Sequence, residues 1–137
     1  LVNQFLGDGF MASFGIPLES KDHRQNAFDA GLEIIHKIKV LAEAGIIPIT
    51  RVGIGIHSGE VITGNIGNDI RKQYSIAGTT VITAARLEQM NKEFRTQFLI
   101  TKEFFESINT NGQAVESLGE VSIKGFEKPM EVMCVKV

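Results

Sequence analysis

The sequence predicts an α+β domain, a mixed sheet with helices packed on one face, and three observations carry that prediction. Short apolar runs rich in Ile, Val and Phe recur between Gly, Asp and Pro breaks, as strands do. Two other segments repeat apolar residues every three to five positions, the spacing of a helix face. The strands also come as hairpins as well as singly between helices, unlike the strict strand–helix alternation of a parallel sheet.

Taken in order, Val2 to Leu6, the turn Gly7-Asp8-Gly9 and Phe10 to Phe14 form a β-hairpin, because an Asp-Gly pair between apolar runs is a strong hairpin signal; Asp8 sits at its tip. Gly15-Ile16-Pro17 breaks the second strand. Ser20 can cap a helix whose stripe is Ala27, Leu32, Ile35, Ile38 and Leu41, and Gly45 ends it. Ile49 to His57 and Val61 to Ile66 are strands separated by Gly59, and Tyr74 to Ile76 is a short one. Thr79 or Thr80 can cap a second helix, Val81 to Asn91, with the stripe Val81, Ala84, Leu87 and Met90. Phe98 to Ile100 is a strand and Lys102 to Ile108 a short helix; Ala114 to Val137 supplies two or three strands, broken at Gly125 and Pro129. No repeat or low-complexity linker interrupts the chain, so residues 1–137 read as one domain of ferredoxin-like βαββαβ order.

Composition narrows the function. With 43% hydrophobic and 22% charged residues the chain reads as soluble and globular, and no apolar run is long enough for a membrane span. A net charge of −2 argues against a nucleic-acid binder, which needs a basic excess to displace phosphate counterions. Cys134 is the single cysteine, so an internal disulfide or a cysteine cluster is excluded and a reducing compartment fits. No signal sequence opens the chain, whose first residues are already strand-like.

Several residues could carry chemistry. Asp8, flanked by glycines, can project its carboxylate toward a hard cation such as Mg²⁺, although such turns also arise for purely conformational reasons. Arg86 shares a helix face with Ile82, four residues earlier; on spacing alone it reads first as a solvated side chain and second as a phosphate ligand. Arg71, Lys72 and Lys124 are open to the same two readings. His57 has no second histidine, carboxylate pair or cysteine at a useful spacing and reads as structural. The glycines from Gly53 to Gly67 match neither the dinucleotide-binding fingerprint nor a P-loop.

Together, Phe5-Leu6-Gly7-Asp8-Gly9-Phe10-Met11-Ala12, Arg51-Val52-Gly53-Ile54-Gly55-Ile56-His57-Ser58-Gly59, Gly64-Asn65-Ile66-Gly67 and Gly78-Thr79-Thr80-Val81-Ile82-Thr83-Ala84-Ala85-Arg86-Leu87-Glu88 resemble, in order, the class III adenylate and guanylate cyclase family. Ile123-Lys124-Gly125-Phe126 and Pro129 are similar to its closing hairpin, so the resemblance covers essentially the whole chain. It implies a cyclase-type sheet and an enzyme converting ATP to 3′,5′-cyclic AMP and pyrophosphate with two Mg²⁺ or Mn²⁺ ions held by paired aspartates. By the same resemblance Asp8 is the second metal aspartate, Arg86 the arginine that stabilises the transition state, and Lys124 a triphosphate contact. The family places metal ligands and arginine on opposite subunits, which implies a homodimer with composite sites and an inactive monomer.

The resemblance further implies that the first metal aspartate lies on a strand upstream of Leu1, so that the chain lacks its first strand and the helices that follow it. Gln4 occupies the place of the family's adenine-selecting lysine and Ser75 that of the lysine's partner. Gln4 both donates and accepts, which admits GTP beside ATP. Ile82 stands where the family carries a ribose-orienting asparagine, and it can make no hydrogen bond. The leading expectation is thus an adenylate cyclase, cytoplasmic or the cytoplasmic part of a larger, membrane-anchored protein. Its alternatives are a guanylate cyclase and a cyclase-like domain that binds nucleotide or regulates with little turnover. An RNA-binding module on a similar topology lacks the exposed aromatics and basic face it would need.

Overall fold

The amino-terminal hairpin closes on Gly7. A computed structural model, describing residues 1–67, 72–123 and 125–137, pairs β1 (Val2–Leu6) antiparallel with β2 (Gly9–Ala12). Leu6 faces Gly9, so the loop is Gly7-Asp8, with Gly7 at φ 62° in the left-handed region that a glycine-first two-residue hairpin loop requires. Asp8 is at the tip as expected, but Gly9 belongs to β2. A bulge interrupts the register between Val2 and Gln4, leaving Asn3 as the extra residue.

Helix α1 (His23–Glu43) starts three residues beyond Ser20, whose carbonyl rather than hydroxyl receives the His23 N–H at 3.3 Å. Its end comes where expected, with Gly45 at φ 74° just past the last turn. Strand β3 (Ile54–Ile56) is shorter than the apolar run from Ile49 predicts. Among the described residues it pairs only with three residues of β6 (Phe98–Thr101), and Ile49, outside that pairing, is 97% exposed. Strands β4 (Ile62–Gly67) and β5 (Lys72–Ala77) form a separate antiparallel ribbon. Helix α2 (Thr79–Phe94) follows, capped by Gly78 with no side-chain hydrogen bond, because Thr80 donates instead to the Glu60 carbonyl at 2.7 Å. The short α3 (Lys102–Phe105) is capped by Thr101, whose hydroxyl accepts the Phe104 N–H at 3.3 Å. The tail supplies two strands, β7 (Val115–Val121) and β8 (Met130–Val135).

The central sheet has the order β3-β6-β8-β7, with β3 parallel to β6 and the other pairs antiparallel. All four residues of β6 are buried, so both of its faces are covered. Phe98 and Ile100 point to one face with Met133 and Val135, against Ala27, Phe28 and Ile35 of α1. Leu99 points to the other with Val132 and Cys134, against Leu87 and Met90 of α2. The mixed α+β sheet carrying helices is as the sequence predicts, but the helices are not confined to one face: β6 is apolar on both sides, so α1 covers one face and α2 the other. Gly31 lets α1 approach closely, since a Cβ there would stand 2.6 Å from the Phe98 ring. Among the described residues no helix is long and apolar enough to cross a membrane.

Candidate active site

Of the residues singled out from the sequence, Gln4 and Asp8 lie on the β1–β2 hairpin, Ser75 on the β4–β5 ribbon, and Ile82 and Arg86 on α2. Asp8 is exposed at the hairpin tip, and a Cβ added at Gly7 or Gly9 would meet nothing within 4 Å, so its carboxylate is unobstructed. Gln4 is exposed on β1, while Ser75 is half-buried on β5, opposite Gly64; β1 and β5 lie against each other. Ile82, 54% exposed, and Arg86 share the outer face of α2. The Arg86 guanidinium donates from Nη1 to Gln89 Oε1 at 3.2 Å. Among the described residues no hydrogen bond or ion pair joins Asp8 to Arg86, and no three metal-ligating side chains converge. Arg71 and Lys124 lie outside the described residues, and Lys72 is described by its backbone alone.

One exposed carboxylate is a chemically sound partial site for Mg²⁺, which keeps much of its water and takes one or two protein carboxylates together with substrate phosphates. Asp8 satisfies that demand on donor type and openness.

A cleft of about 270 Å³ lies elsewhere, between β2 and β3. Met11 and Ala12 border it on one side, Ile56 and His57 on the other, and Thr80 and Ala84 of α2 also line it. None of Gln4, Asp8, Ser75, Ile82 or Arg86 does. The bulged Asn3 reaches this cleft, and both polar atoms of its carboxamide are buried with no hydrogen-bond partner among the described residues. Among the described residues β2 pairs only with β1 and β3 only with β6, so each strand retains an unpaired edge.

His57 is half-buried at the end of β3, where Nδ1 and Thr101 Oγ1 share a hydrogen bond of 2.8 Å. Because that hydroxyl also accepts the Phe104 N–H, the imidazole ties β3 to α3, a structural role. Burial holds it below the ordinary value of 6.5, with the Glu103 carboxylate partly opposing. The unfolded chain therefore takes up a proton at higher pH than the folded one. Stability from neutral His57 is complete above 6.5 and is lost as pH falls from there through the folded value. Urea midpoints should accordingly drop between about pH 7 and about pH 5, and drop less in His57→Gln, which can keep the Thr101 bond. Cys134 is no nucleophile: burial pushes its thiol up, against the opposing pull of the Lys136 ammonium.

Composition and spacing missed the groups that seat α2. At Gly55 a Cβ would come 2.4 Å from Glu88 N and 2.6 Å from Ala84 O, so helix backbone rests directly on β3. Asn91 is 4% exposed and donates from Nδ2 to the Ile54 carbonyl at 3.0 Å. A polar residue four positions after Leu87, on the buried stripe, was the available signal.

Comparison with known proteins adds to this geometry. The sequence model of the adenylate and guanylate cyclase catalytic domain matches residues 4–136. An uncharacterized protein of Mycobacterium tuberculosis is 31% identical over 133 residues, which are 96% of this chain and 23% of that relative. This chain therefore spans less than a quarter of that relative's length. The crystal structure of the guanylyl cyclase Cya2 superposes with a TM-score of 0.79 at 28% identity, covering 98% of this chain and 68% of that one. The adenylyl cyclase CyaB from P. aeruginosa gives a TM-score of 0.77 at 27% identity over 99% of this chain and 71% of that one.

Proposed function

The chain belongs to the adenylate and guanylate cyclase catalytic domain family, and from that premise we propose that it converts ATP to 3′,5′-cyclic AMP and pyrophosphate at a site shared between two copies of the chain. The observation that carries this reading is the placement of Asp8 and Arg86. Each is exposed on a separate element, and among the described residues neither is engaged by the other. An aspartate and an arginine so placed can each complete the half-site of a partner.

In the reaction the ribose 3′-oxygen attacks the α-phosphorus, its proton leaves, and the bond from that phosphorus to the oxygen bridging the β-phosphate breaks, releasing pyrophosphate. Two Mg²⁺ or Mn²⁺ ions, when bound, favour deprotonation of the hydroxyl and neutralise the triphosphate. Asp8 would hold them from the hairpin tip together with an aspartate on a further strand. The cleft supports such a strand, since β2 and β3 border it with unpaired edges and the orphaned Asn3 carboxamide awaits a partner there. Arg86 stabilises the charge that grows on the α-phosphate and leaving group. Gln4 and Ser75 read the purine edge, and Lys124 meets the triphosphate. Ile82 contacts the ribose without a hydrogen bond.

Exposed apolar side chains support pairing with a second copy. The β4–β5 ribbon carries Ile62 at 73% and Ile66 at 65% exposure, and a lone two-stranded ribbon is marginal without a surface to pack on. Phe5, at 80%, extends the apolar surface to the hairpin.

Gln4 favours a second reading, a cyclase that accepts GTP, because a carboxamide can satisfy either purine edge where a lysine only donates. Competition between ATP and GTP for turnover decides: cyclic GMP as the dominant product would overturn the adenylate assignment. Ile82 favours a third, a domain that binds nucleotide with little turnover. Ile82→Asn should raise turnover about tenfold or more by supplying the missing ribose hydrogen bond, measured as cyclic nucleotide formed per minute. An unchanged rate would remove Ile82 from the site.

A further inference from the structure

The seat of α2 is tighter than ordinary helix packing. Ala84 and Glu88, whose backbone atoms crowd Gly55, flank Arg86, so the helix touches β3 at the level from which the arginine projects. A glycine contact sets how close the helix lies and offers no knob to stop it sliding along its axis. One side chain supplies the stop. The Asn91 carboxamide donates to the Ile54 carbonyl of β3 at 3.0 Å and to the Glu88 carbonyl of its own helix at 3.1 Å. Its Oδ1 accepts from Thr96 Oγ1 at 2.9 Å, and its backbone carbonyl receives the Thr96 N–H at 3.0 Å. From Thr96 the chain runs into Gln97, whose carbonyl takes the Ile54 N–H at 2.8 Å. Helix, strand and the lead into β6 thus meet on one buried amide. Asn91 lies five residues beyond Arg86, about 7.5 Å along the axis and about 140° around it. It is therefore buried where Arg86 is exposed.

We propose that Asn91 is a positioning residue, its carboxamide locking α2 axially on β3 and so setting where the Arg86 guanidinium stands. The functional half of this rests on the cyclase reading; the mechanical half rests on the hydrogen bonds alone. Angular and axial placement matter because a shift of about 1 Å in a transition-state group costs on the order of a hundredfold in rate. Leucine at this position approximates the shape without leaving a buried amide unpaired, so Asn91→Leu should remain folded.

The test measures turnover, nucleotide KM, thermal midpoint and amide hydrogen exchange for the full-length wild type, Asn91→Leu and Thr96→Val. In Asn91→Leu, kcat should fall about tenfold with KM held within about twofold. Amides from Leu87 to Phe94 should exchange about tenfold faster while those of β6 and β8 are unchanged. Thr96→Val, which removes only the donor to Oδ1, should move the same quantities less. Unchanged kcat and exchange in Asn91→Leu overturn the proposal, as does a loss of activity that only tracks the folded fraction. Should the wild type form no cyclic nucleotide, the cyclase reading fails and exchange decides the pin alone: acceleration confined to α2 upholds it, and unaltered exchange overturns it.

Discussion

Arg86→Ala should lower cyclic nucleotide formation from ATP by about 10²- to 10³-fold, the usual cost of deleting one preorganised group aimed at developing charge. The fold should not notice. The side chain is exposed and its hydrogen bond to Gln89 is on the same helix, so stability should stay within about 0.5 kcal/mol. Arg86→Lys should recover only part of the rate, because an ammonium cannot reproduce the planar fork on a phosphate. The assay compares ATP and GTP with Mg²⁺ or Mn²⁺ in the full-length protein. A shared site makes a sharper demand. Arg86→Ala mixed in equal amount with Asp8→Ala, each inactive alone, should recover about a quarter of the wild-type rate: about half the dimers are mixed, and each of those has one intact site. Two inactive chains that stay inactive together, while demonstrably forming mixed dimers, would exclude the composite site.

Phe98→Ala should have the largest effect on folding. Its ring is fully buried in β6, stacks on Phe28 of α1 at 5.7 Å between centroids, and lies under Gly31, so little can move in to fill the space. Truncating such a side chain costs about 3–5 kcal/mol, which in a domain of this size lowers the thermal midpoint by roughly 10 °C or more. Phe28→Ala should cost a similar amount, and the double variant less than the sum, because each ring is the other's partner. Ile49→Ala, at 97% exposure, is the control and should shift the midpoint little. Equal losses from Ile49→Ala and Phe98→Ala would contradict the packing of α1 on this sheet.

These expectations differ in how far they could be read without coordinates. The hairpin with Asp8 at its tip, both long helices and the ordered family motifs are local: each depends on neighbours within a few residues, where turn propensity and the periods of strand and helix act directly. The sequence therefore sufficed for the α+β class, for the family and for naming Asp8 and Arg86 as candidates. It overran where a strand's length depends on its partner. The apolar run from Ile49 has β propensity throughout, yet only the three residues that find hydrogen bonds on β6 become strand. It also misassigned caps, because Thr80 and Ser20 were free to satisfy a distant carbonyl or none.

Periodicity showed an apolar stripe on each helix but could not say which side of the sheet would receive it. In β6, Phe98 and Leu99 are adjacent apolar residues pointing opposite ways, and only the assembled sheet commits one to α1 and the other to α2. Gly55 and Asn91 matter through atoms on an element far along the chain, and the orphaned Asn3 through an unpaired strand edge. The sequence by itself determined what each segment can become and which chemistry it carries. The tertiary structure decided where that chemistry stands, because close approach, burial and hydrogen-bond partnership are properties of pairs that the chain brings together only when it folds.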